Sequence, residues 1–125
     1  MLLKKIIGVR DTISGRRYSD IIEIAKDQIR KTYMSDEISL NTIAAEVGMS
    51  PSYFSSIFSK EMGKTFVEYL TEIRMDRAKE LLMCSSMKTS EIGYEVGYKD
   101  PHYFSYIFKK TQNCTPKEFR ARGKE

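Results

Sequence analysis

A ten-residue stretch of this chain is written twice. Pro51-Ser52-Tyr53-Phe54-Ser55-Ser56-Ile57-Phe58-Ser59-Lys60 returns fifty positions later as Pro101-His102-Tyr103-Phe104-Ser105-Tyr106-Ile107-Phe108-Lys109-Lys110. The register continues from Gly63-Lys64-Thr65 and Glu68-Tyr69 to Asn113-Cys114-Thr115 and Glu118-Phe119. Upstream, Ile43 and Glu46-Val47-Gly48 return as Ile92 and Glu95-Val96-Gly97 at a spacing of 49, so the turn of the second copy holds one extra residue. A solenoid needs three or more repeats to bury its faces. Two copies in 125 residues mean duplication of one small supersecondary unit.

The unit reads as two short helices around a tight turn. Leu40, Ile43, Ala44 and Val47 follow helical spacing behind Ser39, a good N-cap, and Gly48 suits the left-handed conformation that ends a helix. Ser50-Pro51 supplies a second cap with proline at the first helical position. Phe54, Ile57, Phe58 and Met62 then line one apolar face, and Gly63 stops the helix. Two helices separated by Gly48-Met49-Ser50 are the sequence form of a helix-turn-helix. The second copy repeats this with Asp100-Pro101. It carries Gly93 inside its first helix, around Thr89–Val96, where Gly costs about 1 kcal/mol relative to Ala. A close helix contact there, matched by Ala44 in the first copy, would justify it.

Between the copies, Thr65-Phe66-Val67-Glu68 reads as a capping box opening an uninterrupted helix through Leu70, Ile73, Arg74, Arg77, Ala78, Leu81 and Leu82. Arg74 and Arg77 are read as structural, pairing with neighbouring acids. Before the first unit, Asp20–Met34 offers Ile21, Ile22, Ile24, Ala25, Ile29 and Tyr33 as an amphipathic cover for its core. Thr115-Pro116-Lys117-Glu118 opens a short last helix. The fold class expected is all-α: two homeodomain-like helix-turn-helix subdomains joined by a long connecting helix. The organisation is 1–18 as linker remnant or basic arm, 19–64 as the first subdomain, 65–83 as connector and 84–125 as the second subdomain. About 18 residues of helix span roughly 27 Å. With the widths of the attached units, that is of the order of the roughly 34 Å between successive major grooves on one face of DNA. A connector this rigid implies bent DNA or one helix poorly engaged.

Composition narrows the function by exclusion. Lys4, Lys5, Arg10, Arg16 and Arg17 against Asp11 account for the whole net charge of +4, and the other 107 residues are neutral in sum. Net charge alone is therefore no argument for nucleic acid; only charge clustered on one face would be. Cys84, Cys114 and the single His102 form no metal-ligand or disulfide framework, which suits a reducing cytosol. No apolar run approaches the roughly 18 residues of a membrane span. No nucleophile–base pair or Gly-rich phosphate loop marks an enzyme, and no cofactor is called for.

The arrangement closely resembles the DNA-binding domain of AraC/XylS-family bacterial transcription regulators. The resemblance rests on Ile43-Ala44 with Val47-Gly48-Met49-Ser50, Tyr53-Phe54 with Phe58 and Lys60, Gly63-Lys64-Thr65, Arg74 with Ala78 and Leu81-Leu82, Val96-Gly97-Tyr98, Tyr103-Phe104, Phe108-Lys109-Lys110, Thr115-Pro116 and Phe119-Arg120. It covers residues 20–122, and looks most like members fused behind a phosphoacceptor receiver domain. It implies a fragment of a longer cytoplasmic two-component regulator, with a free-standing small regulator as the alternative. The partners implied are double-stranded DNA, RNA polymerase and a second copy joined through a sensing or receiver domain. A helical protein-interaction module and the DNA-targeting domain of a DNA-processing enzyme are the rival readings, and salt-dependent DNA binding separates the first of these.

In a helix-turn-helix the second helix enters the major groove. The recognition helices are then about 51–62 and 101–112. Turning their phenylalanines inward leaves Ser52, Tyr53, Ser55 and Ser56, and His102, Tyr103, Ser105 and Tyr106, toward the bases. Ser39, Ser50, Ser59, Lys60, Lys64, Thr65, Lys109, Lys110 and Thr115 are placed toward phosphates, through helix N-termini and cations. For the tyrosines, partial core packing is an equal reading; for any one surface lysine, solubility is the commoner role. Neither helix offers an outward Arg, Asn or Gln for bidentate base contacts, so each unit alone should read bases modestly, with DNA shape and a second protomer supplying the rest.

Overall fold

The structure, a computed structural model, describes residues 14–123. They form seven helices: α1 Ser14–Thr32, α2 Leu40–Glu46, α3 Pro51–Met62, α4 Phe66–Cys84, α5 Thr89–Glu95, α6 Pro101–Gln112 and α7 Pro116–Gly123. Residues 1–13, with Lys4, Lys5 and Arg10, lie outside the described residues. Helix α1 begins at Ser14 and ends at Thr32, two residues short of the expected Met34.

The helix starts follow from local hydrogen bonding. The Ser39 hydroxyl accepts from the Thr42 N–H at 3.2 Å, and Thr42 Oγ1 accepts from the Ser39 N–H at 2.9 Å. Ser50 Oγ accepts from the Tyr53 N–H at 3.2 Å, with Pro51 next in line. Asp100 Oδ1 accepts from the His102 N–H at 2.9 Å. Reciprocal boxes start α4 and α7, with Thr65 and Glu68 in one and Thr115 and Glu118 in the other. Helices α3 and α6 end on left-handed residues, Gly63 at φ 73° and Asn113 at φ 66°. Asn is the residue that best substitutes for Gly there, because its short polar side chain tolerates the conformation.

The chain packs as two compact units. The first takes α1 up to Lys31 with Glu37–Tyr69; the second takes Thr32–Asp36 with the chain from Leu70 onward. The first core is Ile22, Ala25, Ile29, Ile43, Ala44, Phe54, Ile57, Phe58 and Phe66, all buried. Phe54, Phe58 and Phe66 form a triangle of rings 5.6–6.5 Å apart. Helix α1 contributes positions 22, 25 and 29, a single stripe. Ile24, expected in that cover, is instead 54% exposed. Four apolar residues within 21–25 leave the phase of the stripe undetermined in sequence, and packing settled it. Tyr33, also expected there, lies past the end of α1 in the loop that joins the second unit.

The second core comprises Met75, Ala78, Leu82, Ile92, Val96, Phe104, Phe108 and Cys114, edged by Leu81, Met87, Tyr98, Ile107 and Phe119. Gly93 is buried against α6: a Cβ there would lie 2.8 Å from Phe104 Cγ and Cδ2. The close contact that would excuse a helical glycine is present. Arg74 departs from the sequence reading. It is 7% exposed, and its guanidinium donates to the Tyr33 carbonyl (Nε, 2.8 Å) and the Ser35 carbonyl (Nη2, 2.8 Å) rather than to an acid of its own helix. A buried guanidinium must spend its donors on fixed acceptors, and these loop carbonyls supply them. Arg77 does pair as expected, with Glu80 at 3.0 Å. Arg120 of α7 repeats the Arg74 device, donating to the Leu82 and Ser85 carbonyls at 3.0 and 3.1 Å.

Candidate nucleic-acid interface

Helix α3 is amphipathic in the simplest way. Phe54, Ile57 and Phe58 are buried, while Ser52, Tyr53 and Ser56 are exposed and Ser55 and Ser59 half-buried. Four serines at 52, 55, 56 and 59 make one face of small hydroxyls. Its only acid, Glu61, stands seven residues after Phe54 and so on the other side. Tyr53 is 44% exposed, but its hydroxyl is hydrogen-bonded to the Tyr18 hydroxyl of α1, with the rings edge-to-face at 6.0 Å. That bond raises the Tyr53 pKa above the ordinary tyrosine value. Tyr18 was not singled out in sequence. A lone tyrosine in a basic N-terminal stretch carries no local signal for a partner 35 residues away.

Helix α6 buries Phe104 and Phe108 and exposes His102, Tyr103, Tyr106, Lys109 and Lys110, with Ser105 half-buried. It contains no acidic residue. His102, Ser105, Tyr106, Lys109, Lys110, Asn113 and Thr115 line one open concavity of about 620 Å³ along its outer side. Tyr103 and Tyr106, 49% and 56% exposed, lie with ring centroids 6.1 Å apart, and Lys110 Nζ stands 5.8 Å from the centre of the Tyr106 ring. Tyr103 rests on Tyr98 of the preceding turn at 5.7 Å. Tyr98 in turn packs on Phe104 at 5.9 Å and lies under the Arg74 guanidinium at 4.8 Å. Tyr98 occupies the turn that the repeat register marks as longer, and nothing in its sequence context assigned it a task.

The positions read as phosphate-facing divide by chemistry. Lys60, Lys109 and Lys110 are exposed and Lys64 is half-buried. At Ser39 and Ser50 the cap is a neutral hydroxyl. At Thr65 and Thr115 the box places a carboxylate, Glu68 or Glu118, at the helix start. Hydrogen bonds from Thr115 hold the Glu118 pKa below the usual carboxylate value. A fixed negative charge offsets the pull of a helix N-terminus on an anion, so the two serine starts are the more hospitable. Among the described residues no group of His, Cys, Asp or Glu is disposed to hold a metal ion, and no helix is long and apolar enough to cross a membrane.

Residues 43–122 match the helix-turn-helix domain family. The C-terminal domain of AraT, a response regulator from Geobacillus stearothermophilus, aligns with a TM-score of 0.82 and 36% identity, over 85% of this chain and 88% of that one. A transcriptional regulator from Chromobacterium violaceum, of the proteins containing an AraC-type DNA-binding domain, aligns with a TM-score of 0.74 and 27% identity, over 84% and 93%. The arabinose operon regulatory protein of Salmonella typhimurium is 34% identical over 124 residues, which are 97% of this chain and 43% of that protein. This chain thus spans less than two thirds of such relatives. The likeness runs through both copies of the repeat and the helix between them, and the chain belongs to the AraC-type helix-turn-helix family of transcription-regulator DNA-binding domains.

Proposed function

We propose that this chain is the output domain of a bacterial response regulator, acting in the cytoplasm, and that α3 and α6 enter successive major grooves of one DNA duplex. The observation that carries this reading is the composition of the two outward faces. Opposite fully buried phenylalanines, they hold hydroxyls, tyrosine rings, an imidazole and lysines, with the amides of Gln112 and Asn113 at the end of α6. Ser52, Tyr53, Ser55 and Ser56 of α3, and His102, Tyr103, Ser105 and Tyr106 of α6, face base edges. Small serines let α3 approach the groove floor closely, giving single hydrogen bonds and contact with thymine methyl groups. Ser39, Ser50, Ser59, Lys60, Lys64, Thr65, Lys109, Lys110 and Thr115 face phosphates, which fix register and orientation without reading sequence. Gln112 and Asn113, at the end of α6, are the amide side chains near these faces; a second protomer joined through a receiver or sensing domain supplies the remaining specificity, and RNA polymerase is the partner of the assembled complex.

Footprinting on duplex DNA, with Ser55→Glu and Ser105→Glu as probes, tests this. Each variant places a carboxylate on an outward face without replacing a core residue. Each is expected to lower operator affinity at least tenfold and to erase protection over the stretch read by its own helix. Unchanged affinity in both variants overturns the face assignment.

A further inference from the structure

Tyr53 and Tyr103 occupy the same place in the two copies, third in their helices, and both are about half exposed. Each is held by a tyrosine from outside its helix, but by different chemistry. Tyr18 of α1 meets Tyr53 hydroxyl to hydroxyl, edge against face. Tyr98, in the turn before α6, meets Tyr103 ring against ring, at 5.7 Å and 55°. Tyr98 is itself fixed. Its N–H donates to the Gly93 carbonyl at 2.9 Å, and its ring contacts both Phe104 and the Arg74 guanidinium. The matching residue of the first copy is Met49, whose N–H makes the same 2.9 Å bond to the Ala44 carbonyl. Thus the turn holds the tyrosine in one copy and α1 holds it in the other.

A solvated tyrosine at a helix surface samples several rotamers, and a side chain ordered only on binding charges its ordering to the complex. Resting on the reading that α3 and α6 face DNA, we propose that Tyr18 and Tyr98 are positioning residues that set base preference without touching a base. Each holds the tyrosine at the third position of a recognition helix in one rotamer before DNA arrives. In the Tyr18–Tyr53 pair one hydroxyl donates and the other accepts. The pair therefore presents one remaining hydrogen and a fixed acceptor edge to the groove.

The two chemistries make the test asymmetric. Tyr18→Phe keeps the ring and removes the hydroxyl, whereas Tyr98→Phe keeps the ring that packs on Tyr103. Tyr98→Met brings in the residue type of Met49 and removes the ring. The full chain and its variants are bound to a randomised duplex library and base preference is read position by position, alongside thermal unfolding. Tyr18→Phe is expected to cost about fivefold in discrimination, the worth of one net hydrogen bond, at positions read by α3 only. Tyr98→Met is expected to do the same at positions read by α6 only, while Tyr98→Phe keeps the wild-type preference and serves as the control wherever Tyr98→Met lowers the unfolding temperature. Wild-type preferences in Tyr18→Phe and Tyr98→Met, or a uniform loss of affinity with preferences intact, overturn the inference while Ser55→Glu and Ser105→Glu still lower affinity. If those two glutamate variants bind normally, the face reading fails first and takes this inference with it.

Discussion

Gly93 decides how closely α5 and α6 can pack. Its helical cost of about 1 kcal/mol relative to Ala is offset because any Cβ would press into Phe104, which is fully buried and has nowhere to move. Gly93→Ala is therefore expected to lower stability by about 1–2 kcal/mol, the overpacking penalty exceeding the propensity gain, as measured by denaturant unfolding. Stability equal to or above wild type would show that the α5–α6 contact relaxes freely. That Gly93 needed a close neighbour was legible in sequence, because an unexplained glycine in a helix asks for one. What Arg74 does was not. Its nearest acids, Glu72 and Asp76, stand two residues away on other faces of the helix, and only the fold reveals that Arg74 is buried and bonded to two loop carbonyls about forty residues upstream. Tyr18 and Tyr98 were missed for the same reason: their partners are set by packing, not by spacing.

Helix edges were the most legible elements, since caps are local chemistry. Ser39, Ser50, Thr65, Asp100 and Thr115 all accept the hydrogen bonds that their positions in sequence imply. Helix faces were less legible where apolar residues crowd, as along 21–25 of α1. Helix α7 is short and exposed, and its start depends on one carboxylate. Glu118 titrates below its ordinary value of 4.5 because Thr115 donates to it. A group whose folded pKa is depressed stabilises the fold fully above its unfolded value, and that contribution disappears as pH falls through the folded value. Acidification from about pH 5 downward is thus expected to fray α7 before α3, whose cap is the neutral Ser50. Amide exchange at Phe119 and Arg120, compared with Phe54 and Ser55, reads this directly. Glu118→Gln should remove the pH dependence; a helix that frays equally in both proteins would place the acid-sensitive group elsewhere.

Over the whole chain, the net charge is gathered at one end of the sequence. The net +4 resides in residues 1–18, and the remaining 107 residues balance 16 cations against 16 acids. Replacing Lys4, Lys5 and Arg10 by glutamine is expected to make the salt dependence of DNA binding shallower, by at most about 0.9 log unit per cation that contacts a phosphate. The order of preference among DNA sequences should not change. Titration against matched and scrambled duplexes at several salt concentrations tests this, and collapse of sequence discrimination would make the segment a groove-reading arm.

The path of the chain through its two units has a consequence for anyone recombining them. Segment 32–36, the last residue of α1 and the start of the loop after it, falls in sequence within the first unit yet belongs to the second. No single crossover point therefore exchanges one unit for that of another regulator. A chimera joined at Leu70 would graft Arg74 onto a foreign loop, whose carbonyls must fall where those of Tyr33 and Ser35 stand or leave a buried guanidinium short of acceptors. Grafting the second unit whole takes three junctions, one on each side of the loop and one inside α4. The recipient must also accept a five-residue insert whose Tyr33 and Ser35 carbonyls serve the other unit.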